Sequence, residues 1–184
     1  MTDKKIRDGG IAMKKVLIAF FSHEGEAYVG GKIVKLKIGN TRVAAQMVHG
    51  LTGGDVFRIE TEKPYPDDHM ETVELAKSEQ NAKARPVLKA DALKMDAYDT
   101  VILGYPNWWG TCPMAVFTFL EGHDFFGKTI LPLCTHEGSG MGRSEADIQA
   151  ACPGAKVEKG LAVTGGRVAQ AENDIRKWLE RYGF

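Results

Sequence analysis

Charge of one sign is missing from this sequence: 24 Lys and Arg stand against 24 Asp and Glu in 184 residues. A nucleic-acid surface usually shows as a basic excess and a strongly electronegative docking face as an acidic one. Neither is expected here, and no nucleic-acid partner is. Long apolar runs are also missing. None approaches the roughly 18 residues that cross a bilayer, so no membrane partner is expected. Cysteine is scarce. Cys112, Cys134 and Cys152 are an odd number at no metal-type spacing, which reads as free thiols in a reducing compartment and points to the cytoplasm. His23, His49, His69, His123 and His136 are scattered, and none is paired at metal spacing beside a cysteine, so no metal site is expected.

What is present fits one ordered domain, with 43% hydrophobic and 26% charged residues over a length that suits a single core. Residues 1–12 are charged, run through Gly9-Gly10 and lack the apolar centre of a signal peptide. They are expected to be a flexible leader ahead of a domain spanning 13–184. From there the chain alternates. Val16–Phe21 is a continuous apolar run, as a strand covered on both faces requires. Apolar positions at three-to-four spacing make Asn40–Leu51 an amphipathic helix. Strand patterns recur at Asp55–Ile59, Thr100–Gly104, Thr129–Cys134 and Lys156–Val163. Helical patterns fill His69–Lys83, Met114–Leu120, Ser144–Ala151 and Ala169–Tyr182. Pro113 suits the first turn of its helix, whereas Pro132 is awkward inside a central strand. Five strands, each followed by a helix, predict an α/β fold: a doubly wound parallel sheet with helices on both faces. Ligands in such sheets sit beyond the carboxyl ends of the strands.

Three unusual loops fall at those ends. The first joins Ser22 to Gly39-Asn40-Thr41-Arg42, where a helix start offers free N–H groups and partial positive charge to a phosphate. Neither a Walker Gly-Lys-Ser/Thr nor a Gly-x-Gly-x-x-Gly is present there. The same residues also fit a plain helix cap by Asn40 or Thr41. The second loop, Tyr105–Thr111, holds Trp108-Trp109; one indole is expected at the surface or against a flat ligand, unless the pair plugs the loop. The third, Thr135–Gly142, is glycine-rich, as close backbone approach requires. His136 is either a proton donor near a ligand or a loop residue with a hydrogen bond. Cys112, before Pro113, is either a reactive thiolate at a helix start or a buried spacer.

Gly104-Tyr-Pro-Asn-Trp-Trp-Gly-Thr111 and Thr135-His-Glu-Gly-Ser-Gly140 resemble the loops of the flavodoxin-like family. The resemblance extends over nearly everything from Met13 onward. It implies a flavodoxin-like five-stranded sheet in the order 2-1-3-4-5 and FMN as cofactor. On the family pattern, Ser22, Asn40, Thr41 and Arg42 hold the phosphate. Pro106, Asn107, Trp108, Trp109 and Gly110 flank the flavin ring on one side, and Thr135, His136, Glu137, Gly138, Ser139 and Gly140 on the other. The chain departs from the compact pattern at 24–38, an insertion that splits the phosphate loop. Gly30-Gly31 between strand-like residues reads as a hairpin, a candidate cover for the flavin, a subunit contact in a homodimer, or a plain surface insertion. The resemblance leaves two roles. One is an oxidoreductase taking hydride from NAD(P)H and reducing quinone-like or other small acceptors; the other is a flavodoxin proper, shuttling electrons between protein redox partners. Shuttle flavodoxins tend to be strongly acidic, and the charge balance here favours the enzyme. A flavin-less binding protein would leave the three loops idle.

Overall fold

Val16–Phe20 forms β1, and all five of its residues are buried because its side chains alternate into two separate cores. Leu17, Ala19 and the following Phe21 pack into one, while Val16, Ile18 and Phe20 pack into the other. Each of the larger side chains among them stabilises the fold by roughly 1.5–3 kcal/mol. The computed structural model describes residues 15–90 and 92–184. The expected leader at 1–12 and the start of the domain at 13 lie outside the described residues.

The hairpin follows, with β2 at Gly25–Val29 and β3 at Lys32–Leu36 paired antiparallel through Val29↔Lys32. Gly30 and Gly31 have φ of 59° and 88°, the left-handed pair that a two-residue hairpin turn demands. Helix α1 (Asn40–Thr52), strand β4 (Asp55–Arg58) and helix α2 (His69–Ala82) come next. Strand β5 (Thr100–Pro106) leads to α3 (Met114–Gly122), and β6 (Thr129–His136) to α4 (Ser144–Ala151). Two short strands, β7 (Lys156–Val157) and β8 (Leu161–Thr164), precede a 3₁₀ turn at Gly165–Gln170 and α5 (Glu172–Glu180).

The main sheet runs β4-β1-β5-β6, with β7 and β8 sharing the last position beside β6, and every pairing is parallel. In chain order of the parallel strands this is the expected 2-1-3-4-5. Helices α1 and α5 cover one face, through Ala44, Val48, Ile175 and Trp178. Helices α3 and α4 cover the other, through Val116, Phe119, Leu120 and Ile148. Among the described residues no helix is long and apolar enough to cross a membrane.

Three details differ from the sequence reading. The single strand expected at Lys156–Val163 is broken in two, because Ile130 pairs with Val157 but Leu133 with Leu161. One extra residue is thus accommodated on the fifth strand opposite Pro132, whose missing N–H already interrupts the ladder. Gly160 makes the bulge sterically feasible, since a Cβ there would lie 2.6 Å from the Pro132 carbonyl oxygen. Pro113 is the N-cap of α3 rather than a first-turn residue. The last helix begins at Glu172, and the preceding residues wind as a 3₁₀ turn.

Candidate functional site

The carboxyl ends of β1, β5 and β6 border a cleft of about 390 Å³. Its first wall is the split loop. Gly39 caps α1 in an extended conformation with no side-chain cap bond, so Asn40 and Thr41 are the first helical residues and the plain-cap reading falls. Ser22 supplies the missing acceptor: its Oγ receives the Arg42 N–H at 3.1 Å. The halves of the loop are in close contact, because a Cβ on Gly39 would sit 2.2 Å from both the His23 carbonyl oxygen and Ser22 Oγ. The N–H groups of Asn40 and Thr41 have no partner within the helix's first turn, and both residues line the cleft.

The second wall is the loop after β5. Its turn closes through Trp108 N–H to the Thr111 carbonyl at 2.9 Å, while Gly110 N–H donates to Asn107 Oδ1 at 2.9 Å. Asn107 also donates from Nδ2 to the Gly140 carbonyl at 2.8 Å, which fixes the spacing between this loop and the third. The two indoles part company. Trp108 is half-buried, edge-on to Phe21 and Tyr65 at 5.3 and 5.1 Å. Trp109 is 46% exposed with φ 55°, a backbone state that a bulky residue rarely adopts. It is held by Nε1–H to the Val73 carbonyl at 3.0 Å, by Gln80 on its own carbonyl at 3.1 Å, and by the Lys77 ammonium 4.8 Å from its ring. One indole thus plugs and the other is presented.

The loop after β6 forms the third wall. Thr135, only 4% exposed, shares a 2.7 Å hydroxyl contact with Thr41, 2% exposed, so the first and third loops meet directly. His136 Nδ1 accepts the Gly138 N–H at 2.9 Å; it is a hydrogen-bonded loop residue that also lines the cleft. The Glu137 carboxylate accepts from Gly30 N–H at 3.0 Å and from Gly166 N–H at 2.7 Å.

Of the residues expected at a site, Ser22, Asn40, Thr41, Pro106, Asn107, Trp108, Trp109, Thr135, His136, Glu137 and Ser139 line the cleft. Arg42, Gly110, Gly138 and Gly140 do not border it. The Arg42 guanidinium is paired with Glu24 at 3.0 Å, and Arg58 joins the same carboxylate at 3.2 Å. Burial opposes ionisation of Glu24, but the Arg42 hydrogen bond and the Arg58 charge outweigh it and hold the carboxyl below its ordinary range.

The sequence reading missed the rest of the lining: His23; Glu26, Ala27, Tyr28 and Leu36 of the hairpin; His69, Thr72, Val73 and Ala76 of α2; and Gly165. Two signals pointed there. An insertion inside a ligand loop must lie beside the ligand, and Gly165-Gly166 ends a strand on the same sheet edge. A Cβ on Gly165 would come within 2.3 Å of Asn40 Nδ2 and 2.6 Å of Glu137 Oε1. His23 is kept below its usual pKa, chiefly by burial and despite nearby Asp67 and Glu24. Cys112 is 0% exposed and burial pushes its thiol well up, which makes it the buried spacer. Burial likewise raises Cys134 and Cys152 to about 12. A second hollow of about 420 Å³, between Thr61–Tyr65 and Ala84–Val87, contains none of the expected residues.

The sequence model of the flavodoxin family matches residues 15–182. Among solved structures, a candidate flavoprotein from Bacteroides eggerthii is 29% identical, with a TM-score of 0.73 over 93% of this chain and 99% of that one. A second candidate flavoprotein, from Bacteroides uniformis, is 27% identical with a TM-score of 0.70, covering 91% and 98%. A flavoprotein of Lactobacillus acidophilus, crystallised with FMN, shares the fold at 18% identity and a TM-score of 0.61, covering 85% and 97%. Comparison with curated proteins finds no match.

Proposed function

This chain belongs to the flavodoxin family, and from that premise we propose that it binds FMN and acts as an oxidoreductase, passing electrons from NAD(P)H to quinone-like or other small acceptors. The observation that carries the reading is the meeting of separate loops: Ser22 Oγ on the Arg42 N–H, and Thr41 on Thr135 at 2.7 Å. Three chain segments distant in sequence present small hydroxyls and backbone N–H groups to one cleft. When bound, the flavin supplies the redox chemistry, exchanging electrons at its ring.

The residues fit such a group. Asn40 and Thr41 at the start of α1, with Ser22 beside them on the Arg42 N–H, offer a phosphate the donors and positive dipole end that helix starts provide. Arg42 contributes its backbone N–H to Ser22 Oγ, while its guanidinium is paired with Glu24. Gly39 and Gly165 leave room where any side chain would collide with the cradle. The ring slot lies between Pro106–Trp109 and Thr135–Ser139, with Asn107 tying the two loops together and Trp109 offering an exposed indole for stacking. Thr41 and Thr135, both buried, join the first and third loops through their hydroxyls.

A net charge of zero favours an enzyme over an acidic protein-to-protein shuttle. Stopped-flow mixing of the FMN-loaded protein with NADH and with NADPH tests this. Bleaching of the flavin band, followed by recovery on adding a quinone, is the expected result. FMN-loaded protein that neither nicotinamide bleaches contradicts the enzyme and leaves the shuttle.

A further inference from the structure

The inserted hairpin is fastened at both ends. At its stem, Glu26 N–H donates to the Asp67 carbonyl at 2.7 Å, the Glu26 carboxylate accepts the His69 N–H at 3.3 Å, and Lys35 pairs with Asp67 at 3.2 Å. At its tip, Gly30 N–H donates to one Glu137 oxygen at 3.0 Å, while the other oxygen takes Gly166 N–H at 2.7 Å. Asp67 and His69 stand at the start of α2 and Glu137 in the loop after β6. The hairpin therefore crosses from one wall of the cleft to the other, and Glu26, Ala27 and Tyr28 line the cleft between the two ties.

We propose that this hairpin is a strap that admits only small planar electron acceptors to the cofactor and keeps protein partners off it, with Glu137 as the positioning residue that fastens it. The proposal rests on the FMN reading above and adds what restricts the acceptor to that small class. Beneath the strap, Val73 and Ala76 of α2 give an apolar wall, and His23 and His69 line the same cleft. Apolar walls with a few polar groups suit an uncharged ring bearing carbonyl oxygens. For a quinone the balance is closed. NAD(P)H yields two electrons and one proton by way of the cofactor, solvent yields the second proton, and the two carbonyl oxygens become hydroxyls.

The strap's tip is held by one hydrogen bond, from Gly30 N–H to the Glu137 carboxylate, which belongs to the stronger class of such bonds, and Gly166 N–H on the other oxygen holds that carboxylate in place. Its loss shifts the open fraction by roughly tenfold or more. In the test, FMN-loaded protein is reduced chemically, so that the nicotinamide is not needed, and then mixed in stopped flow with p-benzoquinone or with cytochrome c. The native protein is expected to favour the quinone. Glu137→Ala should narrow that preference by roughly tenfold by speeding cytochrome c. Glu137→Gln, which keeps one acceptor oxygen but turns an amide N–H against the other glycine, should fall between. Amide exchange over residues 25–36 should rise in the same order while that of β1 and β5 does not. A preference that is equal in all three proteins, or an unchanged exchange rate in the hairpin, overturns the strap alone. Protein that takes up no FMN overturns the function proposed above and the strap with it.

Discussion

Replacing Gly39 by Ala probes the cradle by adding one methyl group. Gly39 is extended, with φ −67° and ψ 148°, a conformation any residue adopts, so only space is at issue. The added Cβ would lie 2.2 Å from the His23 carbonyl oxygen and from Ser22 Oγ, roughly 1.2 Å inside the 3.4 Å where ordinary contact begins. Neither neighbour can swing aside freely. The His23 oxygen is backbone, and Ser22 is buried and accepts the Arg42 N–H. Overpacking of this kind costs roughly 1–3 kcal/mol. The free protein can relax by parting the two halves of the loop, but the phosphate needs them together, so most of the cost falls on binding. FMN affinity should drop by roughly 5- to 150-fold, at tenfold per 1.4 kcal/mol, with a small fall in Tm. Quenching of FMN fluorescence on titration measures it. Gly50→Ala is the control: Gly50 lies within α1 with open space around its Cβ position. That change should raise stability by about 0.5–1 kcal/mol and leave FMN affinity alone. Native affinity and native Tm in Gly39→Ala would refute the proposed convergence of Ser22 and the helix start.

Trp109→Ala should weaken FMN and riboflavin alike by roughly 1–3 kcal/mol, the range for stacking on a flat heterocycle; unchanged dissociation constants for both would place the indole outside the ring slot. The three cysteines are buried, so a thiol reagent should label none in the native protein and three after denaturation, read by absorbance; one fast native thiol contradicts this. His23 should titrate below 6.5 by NMR, because burial disfavours its charged form. A buried neutral histidine binds fewer protons than the unfolded chain does below 6.5. Its contribution is therefore whole above that pH and lost as pH falls toward the lowered value. Stability of His23→Gln relative to native protein, followed by urea unfolding from pH 7 to 5, should close the gap on the acid side; a gap that widens refutes the assignment.

The strands and helices were legible because they rest on local pattern: Val16–Phe20 is apolar throughout, and α1 repeats at helical spacing; the sheet order came only through the family resemblance of the loops. What escaped depends on contacts between distant segments. The break in the fifth strand follows from Pro132 on its neighbour and from Gly160 opposite, and no pattern within 156–163 announces it. The two tryptophans read alike in sequence, yet only the packing of Phe21 and Tyr65 around Trp108 decides which is presented. Arg42 was expected to face a phosphate on the strength of its position, but Glu24, from the inserted segment, holds its guanidinium. The hairpin itself was visible in Gly30-Gly31. Its seat across the cleft was not, since it is set by Asp67 and Glu137, which lie 32 residues beyond Lys35 and 107 beyond Gly30.

Calorimetric titration of the apoprotein with FMN and, separately, with riboflavin decides whether the three loops hold a phosphorylated flavin. One FMN per chain, a yellow complex, and riboflavin binding at least roughly tenfold weaker are expected, because a phosphate at a helix start contributes on the order of 1–2 kcal/mol or more through dipole and N–H donors. Absence of heat and colour with FMN, or equal affinity for the two flavins, would contradict this.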